Sequence, residues 1–260
     1  MEWRRFTRAQ RTARFTVYLL VVAAIVVSAQ TVEVIPEFLY DAPDQMADLF
    51  ARMWPVAWSH YPGTVHDALM ETLHIAAVGT LLSLLLALPV GVLAARNLVP
   101  FMPLNLAARF VLVLSRSVNS LVWALLFVGI FGPGALAGTL AIAFRSIGFV
   151  GKLFGEALEE AHPGPIEALA AAGAPWTSRM TYGFWPQVKP AFWSIALFRF
   201  DINVRESAVL GLVGAGGIGM ALDAALNLFQ WDRVALILVA ILAVVVLTEV
   251  AVTFVRQRVL

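Results

Sequence analysis

The stretch Val234-Ala-Leu-Ile-Leu-Val-Ala-Ile-Leu-Ala-Val-Val-Val-Leu247 contains no polar residue and decides the class of fold. With its neighbours it forms the apolar segment 233–255, and a helix needs about 20 mostly apolar residues to cross a bilayer. The 260-residue chain as a whole is 60% hydrophobic and 13% charged, whereas soluble domains are about 25% charged. This composition argues against a water-soluble protein and against a sizeable enzyme domain outside the membrane.

Five earlier segments share this apolar character, so the sequence predicts an all-α polytopic membrane protein with about six transmembrane helices. The six predicted spans are 15–35, 68–95, 104–131, 135–154, 191–212 and 233–255. Arginines that flank the first and last spans predict cytoplasmic chain ends, because cytoplasmic loops are enriched in basic residues; they are Arg4, Arg5, Arg8, Arg11, Arg14, Arg256 and Arg258. A basic stretch before an apolar one also begins a secretory signal peptide, but the later spans favour an uncleaved first helix.

The segment 31–67, between the first two spans, is acidic and rich in proline and aromatic residues. Tryptophan and tyrosine are enriched at membrane surfaces, so this segment is predicted to lie on the outer face. Residues 44–54 are predicted to form a short helix on the membrane surface, with Asp44 as its N-cap. We therefore divide the chain into an N-terminal helix with an external loop, 1–67, and a core, 68–260.

The sequence lacks the motifs of several kinds of site. It contains no cysteine, hence no thiol nucleophile, and no G-x-x-x-x-G-K-[ST] loop to hold ATP phosphates. Its four histidines lack a metal-ligand spacing, and a net charge of +1 gives no electrostatic basis for binding nucleic acid. We therefore predict no catalytic residue, no metal and no cofactor bound by this chain.

The stretch Gly214-Ala-Gly-Gly-Ile-Gly219 satisfies the G-x-G-x-x-G pattern of dinucleotide-binding loops. That function requires a preceding strand in a βαβ unit, whereas this motif lies between two predicted membrane spans. Irregular backbone at membrane depth is tolerated where it lines a cavity or is buried in protein. We therefore interpret Gly214, Gly216, Gly217 and Gly219 as a gate or hinge.

Four arginines fall within or at the ends of predicted spans, where a charge costs at least about 2.5 kcal/mol at the bilayer centre. One interpretation is salt bridging, of Arg199 with Asp201 or Glu206 and of Arg205 with a neighbouring subunit. The other is an anion pathway, because guanidinium groups bind phosphate-like oxyanions through paired hydrogen bonds. The residues assigned to this pathway are Arg116, Asn119, Arg145, Asn203 and Arg205.

The polar segment 156–186, between the fourth and fifth spans, is predicted to be cytoplasmic. It contains Glu167-Ala168-Leu-Ala-Ala-Ala-Gly173, followed thirteen residues later by Pro186. Two prolines precede a predicted helix at 166–172, and Gly173 is expected to end it. This pattern resembles the EAA loop of ABC-importer permeases, E-A-A-x-x-x-G followed by I-x-L-P. It departs from that loop at Leu169, which replaces alanine, and at Gly183 and Trp185, which replace isoleucine and leucine.

A second stretch, from Arg199 to Gly219, resembles the corresponding region of phosphonate-type permeases, which reads YRFE-NVR-A-V-G-VGAGGIG. The segments 96–100, 159–165 and 182–190 are also similar to that family. The resemblance covers roughly residues 68–255.

This resemblance implies a type I ABC-importer permease fold and a bacterial inner-membrane location. It implies a homodimer joined to two ATP-binding subunits, which carry ATP and Mg, and to an external solute-binding protein. The chain itself would not be an enzyme, and its solute would be a phosphonate, phosphite, hypophosphite or phosphate. The residues that match the loop motif, and that would couple to the ATPase, are Glu167, Ala168, Gly173 and Pro186.

Three alternatives remain open from the sequence. The first is a permease for methionine or another small solute, since methionine permeases have a similar glycine-rich stretch. The second is an intramembrane enzyme that uses His60, His66 and Asp67. The third is a passive anion channel, which dependence of uptake on ATP would separate from a permease.

Overall fold

The computed structural model describes residues 7–32 and 36–259, and the described part of the chain is α-helical with no strand. The helices are α1 (Arg8–Thr31), α2 (Pro36–Met53), α3 (His66–Ala94), α4 (Met102–Ser117), α5 (Ser120–Phe131), α6 (Ala135–Glu159), α7 (Pro163–Ala171), the single turn α8 (Trp176–Ser178), α9 (Trp185–Leu210), α10 (Ile218–Asn227) and α11 (Trp231–Val259).

Four helical segments of the described chain are long and apolar enough to cross a membrane. They are Ala9–Thr31 in α1, Trp58–Ala94, Ala135–Glu159, which is α6, and Trp231–Arg258 in α11. The second of these consists of α3 and the 3-10 and π turns, Trp58–Val65, that lead into it. Two bent pairs, α4 with α5 and the α9 region with α10, each qualify as one broken span and bring the total to six. The predicted all-α polytopic fold is therefore confirmed.

The predicted continuous span 104–131 is wrong, because α4 and α5 meet at an angle of 92°. Val118 and Asn119 connect α4 to α5, and both have an extended backbone conformation that interrupts the helix. The side chain of Asn119 then accepts a hydrogen bond from the backbone N–H of Leu121 at 3.1 Å and caps α5. The break lies in the polar stretch Ser115-Arg-Ser-Val-Asn-Ser120, through which the predicted span runs.

The predicted surface helix 44–54 is also longer than expected. It begins at Pro36, and both Pro43 and Asp44 lie inside it, so the predicted N-cap role of Asp44 is wrong. Proline is favoured in the first turn of a helix, because backbone N–H groups there have no hydrogen-bond partner within the helix. Pro36 is therefore suited to begin α2, which explains why the helix starts earlier than predicted.

The described residues up to Ala51 and those from Arg52 onward form separate compact units. In the first unit, α1 begins with a capping box between Thr7 and Gln10, and its apolar side chains are exposed along its length. Arg4, Arg5 and the end of the predicted span 15–35 lie outside the described residues. The predicted division into 1–67 and 68–260 stays a prediction.

In the second unit, α3 and α6 form the central packing, and α4, α5 and α9 lie against them. Gly148 of α6 allows α4 to approach closely: a Cβ there would lie 2.9 Å from the backbone nitrogen of Arg116 and would collide with the carbonyl of Leu112. Small residues permit such close contact between membrane helices. This contact brings Arg116 of α4 beside α6.

Candidate functional site

Three arginines from three helices line one cavity of about 390 Å³ in the second unit. They are Arg116 of α4, Arg145 of α6 and Arg199 of α9. Ser117 and the ring of Phe149 complete the lining. Charges within membrane spans are expected to face a cavity or one another, and these arginines do both.

The carboxylate of Glu206 bridges two of these arginines. One of its oxygens, Oε1, pairs with Nη1 of Arg145, and the other, Oε2, lies 3.4 Å from Nη2 of Arg199. The Arg199 side chain is only 4% exposed and that of Glu206 17%, so this pair is largely removed from solvent. Two guanidinium groups share this one carboxylate, and Arg116 adds a third positive charge to the cavity lining, so the surplus positive charge favours an anion.

Further contacts fix the position of Arg199. Its Nε donates a hydrogen bond of 2.8 Å to Oγ of Ser146, and its guanidinium carbon lies 5.7 Å from the ring centre of Phe149. Ser146 in turn donates to Oδ1 of Asn203 at 3.2 Å. Nδ2 of Asn203 donates to Oγ1 of Thr80 at 2.8 Å. This chain of hydrogen bonds joins α3, α6 and α9 and holds the arginine in place.

A second cavity of about 170 Å³ adjoins the first, and Arg116 lines both. Arg109 and Lys152 line the second cavity, where they pair with Glu159 at 2.6 Å and Glu156 at 3.3 Å. Arg109 and Arg116 are seven residues apart on α4, as Arg145 and Lys152 are on α6. Seven residues make about two helical turns, so each pair lies on one helix face. Basic side chains therefore continue from one cavity into the next.

The loop after α6 contains the short helix α7. It begins at Pro163 rather than at the predicted residue 166, because proline is well suited to the first helical position. The helix ends as predicted at Gly173, which has a φ of +73°. The N–H of Gly173 donates to the carbonyl of Ala170 at 3.0 Å, and the N–H of Ala174 donates to that of Leu169 at 2.9 Å. These two bonds form a Schellman motif.

The exposed surface of this loop carries the residues of the predicted coupling motif. Glu167, Ala168, Gly173 and Pro186 are all exposed, with Pro186 in the first turn of α9. Within the described part of the chain, no ion pair involves Glu167. Gln187 holds the base of the loop by accepting from the N–H of His162 at 2.9 Å. The loop therefore presents a fixed helix with a free carboxylate.

Two residues that depart from the EAA pattern, Leu169 and Gly183, lie next to each other inside this loop. A Cβ built on Gly183 would lie 3.4 Å from Cδ1 of Leu169 and 3.3 Å from Cγ1 of Ile166. Gly183 is buried. The larger side chain at 169 therefore occupies space that a larger side chain at 183 would need.

Residues 87–260 match the family described as "Binding-protein-dependent transport system inner membrane component". The chain belongs to this family. The family membership and the described spans make it a multi-pass membrane protein and a transport component, as the resemblance implied.

Individual relatives of this permease have named solutes. The chain is 37% identical over 234 residues to the phosphate-import permease protein PhnE of Mycolicibacterium smegmatis, across 90% of this chain and 44% of that protein. It thus spans less than half of that relative. It is 39% identical over 204 residues to the phosphite transport system permease protein PtxC of Stutzerimonas stutzeri, across 78% of this chain and 74% of that protein.

More distant comparisons agree on the fold. A probable D-methionine transport system permease protein, MetI of Vibrio cholerae, is 28% identical over 195 residues, across 70% of this chain and 85% of that protein. A solved structure of the MetNI methionine ABC transporter in an inward-facing conformation superposes with a TM-score of 0.66. It has 22% identity and covers 75% of this chain and 96% of that chain. The predicted ABC-importer permease fold is confirmed.

The structure brings together only some of the pathway residues predicted from the sequence. Arg116 and Arg145 share the larger cavity. Asn203 is fully buried among the central helices, and Asn119 is exposed at the cap of α5. Arg205 is exposed and pairs with Asp201 at 2.8 Å and with Glu249 at 3.4 Å. The roles of Asn119, Asn203 and Arg205 in a pathway stay predictions.

Sequence reasoning left Arg199, Glu206, Ser117 and Phe149 out of the pathway. The predicted salt bridge of Arg199 with Glu206 is present, and these residues are seven apart on α9. That spacing, together with the opposite charges of the two side chains within a predicted span, was the sequence signal for their pairing. The pairing of Glu206 with Arg145 depends on how α6 and α9 pack, which the sequence does not reveal.

The predicted gate glycines lie in the packed connection between α9 and α10, except Gly219, which lies in the first turn of α10. Gly216, Gly217 and Gly219 are buried, and Gly214 is half-buried. Gly217 has a φ of +72°, and a Cβ there would lie 2.6 Å from Oγ1 of Thr72. That hydroxyl accepts a hydrogen bond from the N–H of Ile218 at 2.7 Å. The glycine-rich segment is therefore held against α3, and its action as a gate or hinge stays a prediction.

Proposed function

We propose that this permease is the membrane-spanning subunit of an ATP-driven ABC importer that moves a phosphorus oxyanion into the cytoplasm by alternating access. The solute class comprises phosphonate, phosphite, hypophosphite and phosphate. The anion passes through the cavity lined by Arg116, Arg145 and Arg199.

The observation that carries this proposal is the bridging of Arg145 and Arg199 by one carboxylate. It means that two guanidinium groups, from α6 and α9, are spaced to bind two oxygens of a single small anion. A phosphorus oxyanion also presents several oxygens around one central atom. Such charge-assisted hydrogen bonds are about twice as strong as neutral ones, so they suit recognition of an anion in a membrane cavity.

The named solutes of the relatives support this class. PhnE of M. smegmatis is named for phosphate and PtxC of S. stutzeri for phosphite, and both are more similar to this chain than the methionine permease of V. cholerae. Arginine pairs at a cavity favour an anion over methionine, which carries no net charge at neutral pH.

The proposed link to ATP hydrolysis is the loop that contains α7. Its exposed carboxylate, Glu167, is suited to an arginine on a soluble partner, and a short fixed helix is suited to a groove on that partner. ATP and Mg are held by this ATP-binding subunit, and the permease carries no cofactor of its own. ATP binding draws the loops together and switches the orientation of the cavity.

The proposed assembly has two copies of this permease, two ATP-binding subunits and one external solute-binding protein. Both chain ends lie in the cytoplasm, and the segment around Gly214–Gly219 acts as the gate. The pathway residues Asn119, Asn203 and Arg205 act in the same path outside the arginine cavity.

The test is solute uptake by proteoliposomes that contain the permease with its ATP-binding subunit and binding protein. Phosphate, phosphite, hypophosphite, methylphosphonate and methionine are each supplied with and without ATP. We expect ATP-dependent uptake of at least one phosphorus oxyanion and none of methionine. Uptake of methionine alone would overturn the solute class, and flux without ATP would indicate a passive channel.

A further inference from the structure

We propose that Glu206 is an internal competitor for the transported anion. This inference rests on the proposed function, and it assigns to one carboxylate the control of how readily the oxyanion is released. Glu206 pairs with Arg145 and Arg199 in the structure, and the oxyanion takes its place on the same guanidinium groups when it binds.

The donors through which the two arginines are joined are the ones that face Glu206. Nε of Arg199 is already bound to Ser146, and its Nη2 faces Glu206. Nη1 of Arg145 also faces Glu206, whereas its Nε is buried and has no hydrogen-bond partner among the described residues. An anion that bridges the two guanidinium groups on the side where Glu206 joins them therefore meets the atoms that Glu206 now holds, and the buried Nε of Arg145 adds a further donor.

Burial explains why a resident counterion is needed. The Arg199 side chain is 4% exposed, and an uncompensated charge at such a site is strongly unfavourable. If the transported anion were the only partner, its departure would leave this charge uncompensated and release would be slow. Exchange of one anion for another keeps the arginines paired before and after release.

The surroundings of Glu206 are consistent with movement between these states. Its side chain is 17% exposed, whereas Arg199 is fixed by Ser146 and packs near Phe149. The charged groups that face the carboxylate are Arg145 and Arg199, and Arg116 lines the same cavity. The carboxylate is thus less constrained than Arg199.

This role predicts opposite changes in binding and turnover. Removal of the charge in Glu206→Gln frees both guanidinium groups for the oxyanion, so binding tightens. It also removes the group that displaces the anion, so the maximal uptake rate falls. A carboxylate with a purely structural role gives a different pattern, in which both binding and uptake decline.

The experiment uses the permease assembled with its ATP-binding subunit. Equilibrium binding of radiolabelled orthophosphate and phosphite is measured without the binding protein, and ATP-driven uptake is measured with it at saturating solute. We expect Glu206→Gln to lower the dissociation constant by about tenfold and to reduce maximal uptake several-fold. Glu160→Gln is the control, because Glu160 is an exposed glutamate just after α6 that lines neither of the two cavities; neither quantity should change.

Each outcome is decisive. Unchanged or weaker binding by Glu206→Gln, with normal binding by the wild type, would overturn the competitor role and leave the proposed function intact. Absence of oxyanion binding and uptake in the wild type would overturn the proposed function itself. If Glu206→Gln does not assemble, Glu206→Asp takes its place: its shorter side chain should tighten binding to a smaller extent, and unchanged binding would overturn the role.

Discussion

Arg145 of α6 and Arg199 of α9 bind opposite oxygens of the same carboxylate. The two residues are 54 positions apart in the sequence, and packing of their helices brings them to one cavity. A buried guanidinium group and a partly buried one that share a single anion form a defined recognition element. It links the membrane-spanning fold of this permease to the chemistry of its proposed solute.

Reversal of charge in the α7 loop should uncouple transport. We expect Glu167→Arg to lower ATP-driven uptake at least about tenfold, because the new charge repels an arginine on the ATP-binding subunit. Folding should be unaffected, since Glu167 is exposed and forms no ion pair within the described residues. Uptake and co-purification with the ATP-binding subunit are the measurements.

The matched control is Glu160→Arg. Glu160 is also an exposed glutamate, and it lies just after α6 outside the coupling motif. This variant should transport normally. Full uptake by Glu167→Arg would show that the carboxylate does not dock on the partner.

Leu169 and Gly183 should show energetic coupling. Gly183→Ile alone should destabilise the permease, because its side chain meets Leu169 and Ile166, and Leu169→Ala alone should leave a cavity. The double variant restores the usual residues of the EAA loop at two of the three departing positions, and it should recover about 1–2 kcal/mol of the summed loss. Thermal unfolding of the four purified proteins measures this coupling, and strictly additive effects would contradict it.

Gly217→Ala should destabilise the fold. Alanine disfavours a φ of +72°, and its Cβ would lie 2.6 Å from Oγ1 of Thr72. Strain of this kind costs about 1–3 kcal/mol, and the displaced hydroxyl would also lose its bond to Ile218. Thermal unfolding in detergent measures the loss.

Gly129→Ala provides the comparison for this substitution. Gly129 lies within α5, and a Cβ there would have no neighbour within 4 Å. Alanine is the better helix former by about 1 kcal/mol, so this variant should unfold at the same or a slightly higher temperature. Equal stability of both variants would indicate that the glycine-rich segment is not held in the conformation described.

Hydropathy and charge were sufficient to predict most of the fold. Bilayer thickness requires about 20 mostly apolar residues in each transmembrane helix. Long apolar runs such as the one in α11 can therefore be located and counted in the sequence. The break between α4 and α5 was missed because the span was drawn from the apolar residues on either side of the polar stretch Ser115–Ser120. That stretch marked the break, and Asn119 is a residue type that favours a helix N-cap.

The site was less accessible to sequence reasoning. The coupling loop could be located because proline, glycine and alanine at fixed spacing have local structural consequences, and Gly173 ends its helix as predicted. The arginine cavity could not, because it depends on the approach of α4 to α6 at Gly148. Arg205 shows the limit clearly: it belongs to the same motif as Arg199, yet it is exposed and pairs with Asp201 and Glu249.

The most direct test of the account is ATP-driven oxyanion uptake by Arg145→Gln, with Arg258→Gln as an arginine control at the exposed end of α11. Both are assembled with the ATP-binding subunit and binding protein in proteoliposomes. We predict that Arg145→Gln assembles but loses at least about tenfold in uptake, because one of the two guanidinium groups is gone. Arg258→Gln should transport normally. Uptake at the wild-type rate by an assembled Arg145→Gln permease would contradict the central claim.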